Sequence, residues 1–312
     1  MGARRSPGGA RGGRAGPGRG AARALGVRGA RHPAPAEPVS APLHVHVPPE
    51  LRFFLPARRR AEEAVCPYDG TSSLGHVVAA LGIPPTEVGR LRVEGRSVPG
   101  AYRPPGGARV EVEAVARPQP LPPSAPAPPR FVLDVHLGAL ARRMRLVGVD
   151  TAYRNDAADP ELVTEANAEL RILLTQDRGL LRRRALWLGA YVRGSAPDDQ
   201  LTDVLTRFDV PLDPWTRCPV CNGTLEPVAK AEVQGRIPPG TRRTYDTFTR
   251  CTACARVYWP GAHHARLASR VRAARAAAGR ERTPHDPPES VAGRGGAGAG
   301  DVLDAAYGDA AG

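Results

Sequence analysis

Apolar and polar positions follow two different rhythms along this chain. Between residues 41 and 116 they alternate in short runs, the period of half-buried strands. Leu43-His44-Val45-His46-Val47 is the clearest of these, and residues 64–66, 91–93, 97–98 and 110–114 predict further strands. Ser73 stands where a helix N-cap belongs, ahead of apolar Leu74, Val77, Val78 and Leu81, and Gly82 closes that stretch. One helix against four or five strands predicts a small α+β domain.

Between residues 130 and 267, wholly apolar runs alternate with stretches of helical period. Phe131-Val132-Leu133 predicts a strand ending at Asp134, followed by a helix over 137–146 with Arg142, Arg143 and Arg145 on a basic face and Gly148 beyond it. Residues 151–154 predict a second strand. Asp159 then caps a helix, with Pro160 at its first position and Glu161 in its first turn. Ile172-Leu173-Leu174-Thr175 predicts a buried strand ending at Asp177. A helix over 179–188, a strand over 190–193 and a helix over 201–208, opened by Asp198-Asp199-Gln200, complete the series. Four strand–helix units predict an α/β fold whose parallel sheet is covered by helices on both faces.

The flanks have another character. Residues 1–40 are Gly/Ala/Arg/Pro low-complexity sequence without apolar period, expected to be a disordered basic tail. Residues 117–129 form a proline-rich linker, expected to be extended and semi-rigid. From residue 268 onward a mostly disordered tail is expected, with one helix over 270–278. The expected division is therefore 41–116, 130–215 and a cysteine-bearing 216–267.

Charge changes this picture only a little. The net charge is +13, and the first forty residues, with eight arginines and one glutamate, hold +7 of it. Residues 265–312 hold +1, from seven arginines and six acidic residues, which leaves +5 (13 − 7 − 1) for the middle. A basic chain favours an anionic partner such as nucleic acid, but most of this excess sits in a tail. Lys230 is the only lysine in a chain with 35 Gly and 34 Pro, so the arginine bias is compositional and not a binding signature. No run approaches the roughly 18 apolar residues of a membrane helix, so a cytoplasmic chain without membrane contact is expected.

Four of the five cysteines form two C-x2-C pairs, Cys218/Cys221 and Cys251/Cys254. Two such knuckles supply the four thiolates of a closed, structural zinc site, and the other reading of such pairs is redox or disulfide chemistry. A second constellation lies at the ends of the predicted parallel strands, where ligands bind in open α/β sheets. Asp134, Asp156, Asp177 and Asp199 fall there, with Glu161 competing with Asp156 and Asp198 with Asp199. A ring of carboxylates suits Mg²⁺ or Mn²⁺, which can activate water and stabilise the leaving oxygen of a phosphodiester. Arg142 and Arg143, with Arg178 and Arg182 after Asp177, are candidates for holding a nucleic-acid backbone. Tyr258 and Trp259 could stack on an unpaired base or pack the small ribbon. His263 and His264 carry no spacing that demands a role.

Phe131-Val132-Leu133-Asp134, the run from Leu137 through Thr151, Arg171-Ile172-Leu173-Leu174-Thr175-Gln176-Asp177-Arg178 and the segments around both cysteine pairs resemble the Mut-seven C-terminal RNase domain family. The resemblance implies a PIN-like fold with a C-terminal zinc ribbon and metal-dependent RNA cleavage, with Asp134 and Asp177 carried over first. The family often has a Gly after the first Asp, where this chain has Val135-His136. Residues 41–116 resemble ubiquitin-like β-grasp sulfur carriers, a domain that often precedes this RNase domain in bacteria. The chain runs on into Ala114-Val115-Ala116 where a carrier would end in Gly-Gly, so sulfur chemistry is not expected. The expected function is a ribonuclease using Mg²⁺ or Mn²⁺, with a structural Zn²⁺ and a possible protein partner for the β-grasp domain. The alternative is a non-catalytic RNA-binding adaptor. Oligomeric state is not legible at this level.

Overall fold

The computed structural model describes residues 40–60, 63–261, 264–277 and 279. Most of the expected N-terminal tail, the stretch beyond residue 279 and His263 lie outside the described residues.

The alternating region folds as β1 (Ser40–His46), β2 (Glu63–Tyr68), β3 (Val88–Val93), β4 (Arg96–Val98) and β5 (Arg109–Ala114), in the order β2-β1-β5-β3-β4. The β1–β5 pair is parallel and the others are antiparallel. A short helix, α1 (Pro49–Arg52), follows β1, and α2 (Leu74–Ala80) covers the apolar face of the sheet with Leu74, Val77 and Val78. Ser73 caps α2 as expected, its Oγ accepting from His76 N at 3.4 Å. This is a β-grasp arrangement. His44 pairs with Glu63 at 3.0 Å.

The second region folds as a parallel sheet of β6 (Phe131–Leu133), β7 (Thr151–Tyr153), β8 (Ile172–Thr175) and β9 (Gly189–Tyr191), in the order β7-β6-β8-β9. Every residue of the central strands β6 and β8 is buried, which is why both read as unbroken apolar runs. Helices α3 (Gly138–Leu146) and α5 (Pro197–Phe208) pack with Phe131, Leu133, Ile172 and Leu174 on one face. Helix α4 (Asp159–Ala168) packs with Val132 and Leu173 on the other.

Three expectations change. The helix over 179–188 is only a 3-10 turn, Leu180–Arg182. Asn167 takes the backbone groups that a helix would have used: its Nδ2 donates to Ala185 O at 2.6 Å and its Oδ1 accepts from Trp187 N at 3.0 Å. The C-terminal helix starts at His264, ahead of residue 270, and its Leu267, Val271 and Ala274 join the core. The proline-rich segment is seated on the sheet domain, with Arg117 paired to Asp203 at 2.6 Å and Leu121 packed on the core.

The two domains share one compact unit and meet across a buried charge pair. Glu87, ending a 3-10 turn (Pro85–Glu87), is 0% exposed, and Arg207 of α5 is 1% exposed. Arg207 Nη1 donates to Glu87 Oε1 and Oε2 at 2.8 and 2.9 Å, Nη2 to Thr86 O at 3.1 Å, and Nε to Gln119 Oε1 at 2.8 Å. Glu87 Oε1 also accepts from Tyr191 N at 2.8 Å. Burial lowers the guanidinium's pKa, and the Glu87 carboxylate opposes that shift. A buried ion pair is tolerated when its remaining donors and lone pairs are hydrogen-bonded in this way. Glu87→Gln leaves Arg207 as an uncompensated buried charge and should cost about 3–5 kcal/mol, read as a lower urea midpoint of the full chain. Glu87→Leu with Arg207→Met should recover most of that loss.

Candidate functional site

Asp134 follows β6 directly and is buried. Its N–H donates to Leu174 O at 3.0 Å, continuing the ladder to β8. Its side chain caps the next 3-10 turn (Val135–Leu137), with Oδ1 accepting from Val135 N at 2.6 Å. Oδ2 accepts from Thr175 Oγ1 at 2.6 Å, and that same Oγ1 accepts from Asp177 N at 2.8 Å. One fully buried hydroxyl thus ties together the two strand ends that carry Asp134 and Asp177. Asp177 is exposed, and its Oδ1 accepts from Gly179 N at 2.6 Å. Thr175 was not singled out from sequence, although a hydroxyl ending an otherwise apolar buried strand is a signal.

Tyr153, at the end of β7, walls one side of this site. Its hydroxyl donates to Val135 O at 2.9 Å. Its ring lies so close to Gly138 that a Cβ there would stand 2.8 Å from Cζ, so only glycine admits it. Burial raises the phenol's pKa; Arg142 and Arg145 lower it, and Asp134 raises it.

The other candidate acids are spread out. Asp156 is exposed in the turn after β7. Glu161 is exposed and pairs with Arg154 at 3.0 Å. Asp199 is exposed in the first turn of α5, beside Gly194, while Asp198 pairs with Arg143 at 2.8 Å and Arg270 at 3.6 Å. Among the described residues, the four cysteines are the one group of three or more His, Cys, Asp or Glu side chains gathered closely enough for a single ion. Asp134 and Asp177 are linked through Thr175; Asp156, Glu161 and Asp199 do not join them in such a group. A pair of carboxylates still fits Mg²⁺ or Mn²⁺, because these ions keep water and substrate phosphate for the rest of their shell. Both Asp134 oxygens also retain lone pairs beyond their hydrogen bonds.

The arginines divide sharply. Arg142 is half-buried and takes no hydrogen-bond or ion-pair partner among the described residues. Arg143 is engaged by Asp198. Arg178 faces the β-grasp domain, with Nη1 donating to Phe54 O at 2.9 Å and Nη2 to Phe53 O at 3.0 Å. Arg182 is exposed, with Nη2 3.8 Å from where a Gly82 Cβ would stand. Arg145 leaves the expected basic face altogether: it is buried and serves the cysteine site.

Strands β10 (Leu225–Val228), β11 (Phe248–Cys251) and β12 (Val257–Tyr258) form an antiparallel ribbon, with α6 (Lys230–Val233) and α7 (Pro239–Thr244) between β10 and β11. In the first knuckle, Cys218 N donates to Gly223 O at 2.7 Å and Asn222 N to Cys218 O at 2.9 Å. In the second, Cys251 N donates to Arg256 O at 2.9 Å and Cys254 N to Cys251 Sγ at 3.4 Å. A Cβ on Gly223 would stand 2.7 Å from Cys251 Sγ, so the two knuckles close on each other only across glycine. The four Sγ atoms lie within 4.8 Å of one another, with Cys218–Cys254 at 3.7 Å and Cys221–Cys251 at 3.5 Å. A tetrahedron with Zn–S bonds of about 2.3 Å has edges of about 3.8 Å, so this donor set fits Zn²⁺. Burial raises the Cys251 thiol's pKa, but the N–H groups of Cys254 and Ala253 and the neighbouring thiols outweigh it and hold it at about 7. The Tyr258 hydroxyl lies 3.0 Å from Cys218 Sγ, placed to donate to a thiolate ligand. Tyr258 and Trp259 are both buried in the ribbon and present no stacking surface.

The first knuckle is bolted to the sheet. Arg145 donates to Thr151 O at 2.9 Å, Pro219 O at 3.1 Å and Val220 O at 2.9 Å. Asn222 Oδ1 accepts from Thr151 N at 3.0 Å, and its Nδ2 donates to Asp150 Oδ1 at 2.8 Å. Asp150 also pairs with Arg171 at 2.7 Å and Arg217 at 3.3 Å. Burial raises its pKa, but the Arg171 and Asn222 hydrogen bonds hold it below the usual carboxylate range. These contacts grip the amino end of β7, opposite the strand ends that carry Asp134 and Asp177. The purified chain should bind about one zinc per molecule by elemental analysis, and Cys218→Ser should abolish that binding. The same substitution should lower the melting temperature and raise amide exchange in β7, because the knuckle and that strand share hydrogen bonds.

No helix among the described residues is long and apolar enough to cross a membrane. No curated protein and no solved structure matches the chain. Residues 129–271 match the family model described as the Mut7-C RNAse domain, and residues 40–119 match the one described as Mut7-C ubiquitin. Both matches agree with the parallel sheet, the four-cysteine ribbon and the β-grasp fold, and the chain belongs to the Mut7-C RNAse domain family, with that family's ubiquitin domain ahead of the RNAse domain.

Proposed function

We propose that this chain is a divalent-metal-dependent ribonuclease that hydrolyses RNA phosphodiester bonds at the carboxyl edge of its parallel sheet. The observation that carries this reading is the link Asp134–Thr175–Asp177, in which one hydroxyl joins the Asp134 carboxylate to the Asp177 backbone N–H on the adjacent strand end. The Mut7-C RNAse match supports a ribonuclease-type hydrolase; metal dependence and the roles below belong to the proposal.

Asp134 and Asp177 would hold Mg²⁺ or Mn²⁺, which when bound supplies charge stabilisation to the reacting phosphodiester. Without a cation the two carboxylates would repel an RNA backbone. Thr175 fixes the Asp134 rotamer by donating to Oδ2, so the ligand oxygen is preorganised and not recruited from solvent. Arg142, without a partner among the described residues and one turn along α3 from Gly138, is the cation placed to take a phosphate oxygen. Tyr153 closes the side of the site against water. Asp156, Glu161 and Asp199 are assigned to the rim, where they can meet a second ion or the strand only after substrate arrives. Zinc in the ribbon braces the fold.

The test uses the full chain and labelled single-stranded RNA with Mg²⁺, Mn²⁺ or chelator. Asp134→Asn and Asp177→Asn should each slow cleavage about 100-fold or more while RNA binding stays near wild type. Wild-type cleavage by both variants would sink the assignment. RNA that is bound but left intact by the wild-type protein with either ion would favour a non-catalytic adaptor.

A further inference from the structure

We propose that the ubiquitin-like domain acts in cis, as the clamp that positions the loop carrying Asp177. This rests on Asp177 belonging to the cleavage site. Residues 176–184 hold one 3-10 turn in place of the expected helix, anchored on the core side by buried Leu180 and Leu181, while Asp177 and its neighbours lie on the outer side. Asp177 itself is exposed; its N–H donates to Thr175 Oγ1, its carboxylate accepts from Gly179 N, and its carbonyl accepts a long bond of 3.4 Å from Leu181 N.

The residues on either side of Asp177 are tied down from two directions. Gln176 Nε2 donates to Val192 O at 3.0 Å and Gly194 O at 2.9 Å, which fixes it to the exit of β9. Arg178 is fixed by the other domain. Its guanidinium donates to the carbonyls of Phe53 and Phe54 and lies over both rings, 5.6 and 5.2 Å from their centroids. Those carbonyls follow α1 directly, where a helix end leaves acceptors without internal partners, so the arginine meets an existing need. Charge-assisted bonds to two carbonyls plus two ring faces make a strong and directional hold.

The same segment also holds the neighbouring strand. The Tyr191 ring, ending β9, packs at 5.3 Å from Phe53 and 5.1 Å from Phe54. Arg193 donates to Glu50 O at 3.0 Å and lies 5.3 Å over Phe53. Glu87 takes the Tyr191 N–H from the opposite side. Three residues of the ubiquitin-like domain, Glu50, Phe53 and Phe54, thus grip the ends of β8 and β9 together. Arg178 is in this way a positioning residue for Asp177 and not a phosphate ligand.

The experiment compares the full chain with Arg178→Met, which keeps the apolar stem, and with Phe53→Ala, which loosens the clamp from the other domain. Amide exchange across residues 177–184 should rise at least about tenfold in both variants, while β6 and the zinc ribbon keep wild-type protection. Steady-state cleavage should show a lower kcat with an unchanged KM. Unchanged exchange in both variants overturns the clamp. A raised KM with unchanged kcat overturns it in favour of Arg178 as a phosphate contact, and faster cleavage overturns it in favour of a restraint. Because exchange is read without RNA or metal, a failure of the cleavage assignment, seen as normal turnover by Asp177→Asn, is distinguishable from a failure of the clamp.

Discussion

A carboxylate and a guanidinium, both sealed from water, hold this molecule together. Glu87 comes from the β-grasp domain and Arg207 from α5 of the sheet domain. Neither could be buried alone, because an isolated charge in a low-dielectric interior is prohibitively costly. Separating the domains would return both groups to water and give up every bond between them. The pair also recruits its surroundings: Gln119 of the proline-rich segment, Thr86 and the Tyr191 N–H all complete its hydrogen bonds. A segment that composition presents as a flexible spacer is in this way made part of the joint. Hydrophobic contact alone would hold the domains together, but it would not specify their register as these directional bonds do.

The sheet that carries the site is gripped from outside at both ends. Arg145, Asn222 and Asp150 fasten the zinc knuckle to the amino end of β7. Phe53, Phe54 and Glu50 fasten the ubiquitin-like domain to the carboxyl ends of β8 and β9. Strands β6, β7 and β9 have three residues each and β8 has four. At roughly 3.3 Å per residue such strands span only about 10–13 Å, so neither end is far from the other. So short a ladder has few hydrogen bonds of its own, and external fastening does what longer strands would do elsewhere. This gives the four-cysteine ribbon, whose aromatic residues are buried, a structural part to play: it stiffens the edge strand.

Much of this was legible in one dimension, for definite reasons. The runs at 131–133 and 172–175 predict central parallel strands because residues buried on both faces must all be apolar. Two C-x2-C pairs predict a closed thiolate site because the ligand geometry demands little else. Asp134 and Asp177 are visible because each ends such a run. The misreadings share one cause. Arg145 and Arg178 look like solvated cations in a period-based reading, yet each donates to carbonyls of a neighbouring element, and Arg207, which carries no local signal, does the same to a buried carboxylate. Burial of a long polar side chain depends on partners distant in sequence, and no local pattern encodes them. The lost helix at 179–188 has a similar origin, since Asn167 on α4 captures its backbone from across the fold.

These buried arginines also revise what a basic chain implies. An arginine whose donors are all taken by protein oxygens adds to the net charge but cannot release counterions from RNA. Arg145, Arg178 and Arg207 are engaged internally and Arg143 is paired with Asp198, while Arg142 and Arg182 make no hydrogen bond or ion pair among the described residues. Few phosphate contacts mean weak grip and a shallow salt dependence from the sheet domain itself. For the proposed ribonuclease, selectivity would then come from the shape of the carboxylate edge and from how well the Asp177 loop is held. That places the burden on the ubiquitin-like domain, whose contacts end one residue from Asp177. A domain so placed shapes the site directly, and the charge of the chain as a whole says little about how its substrate is chosen.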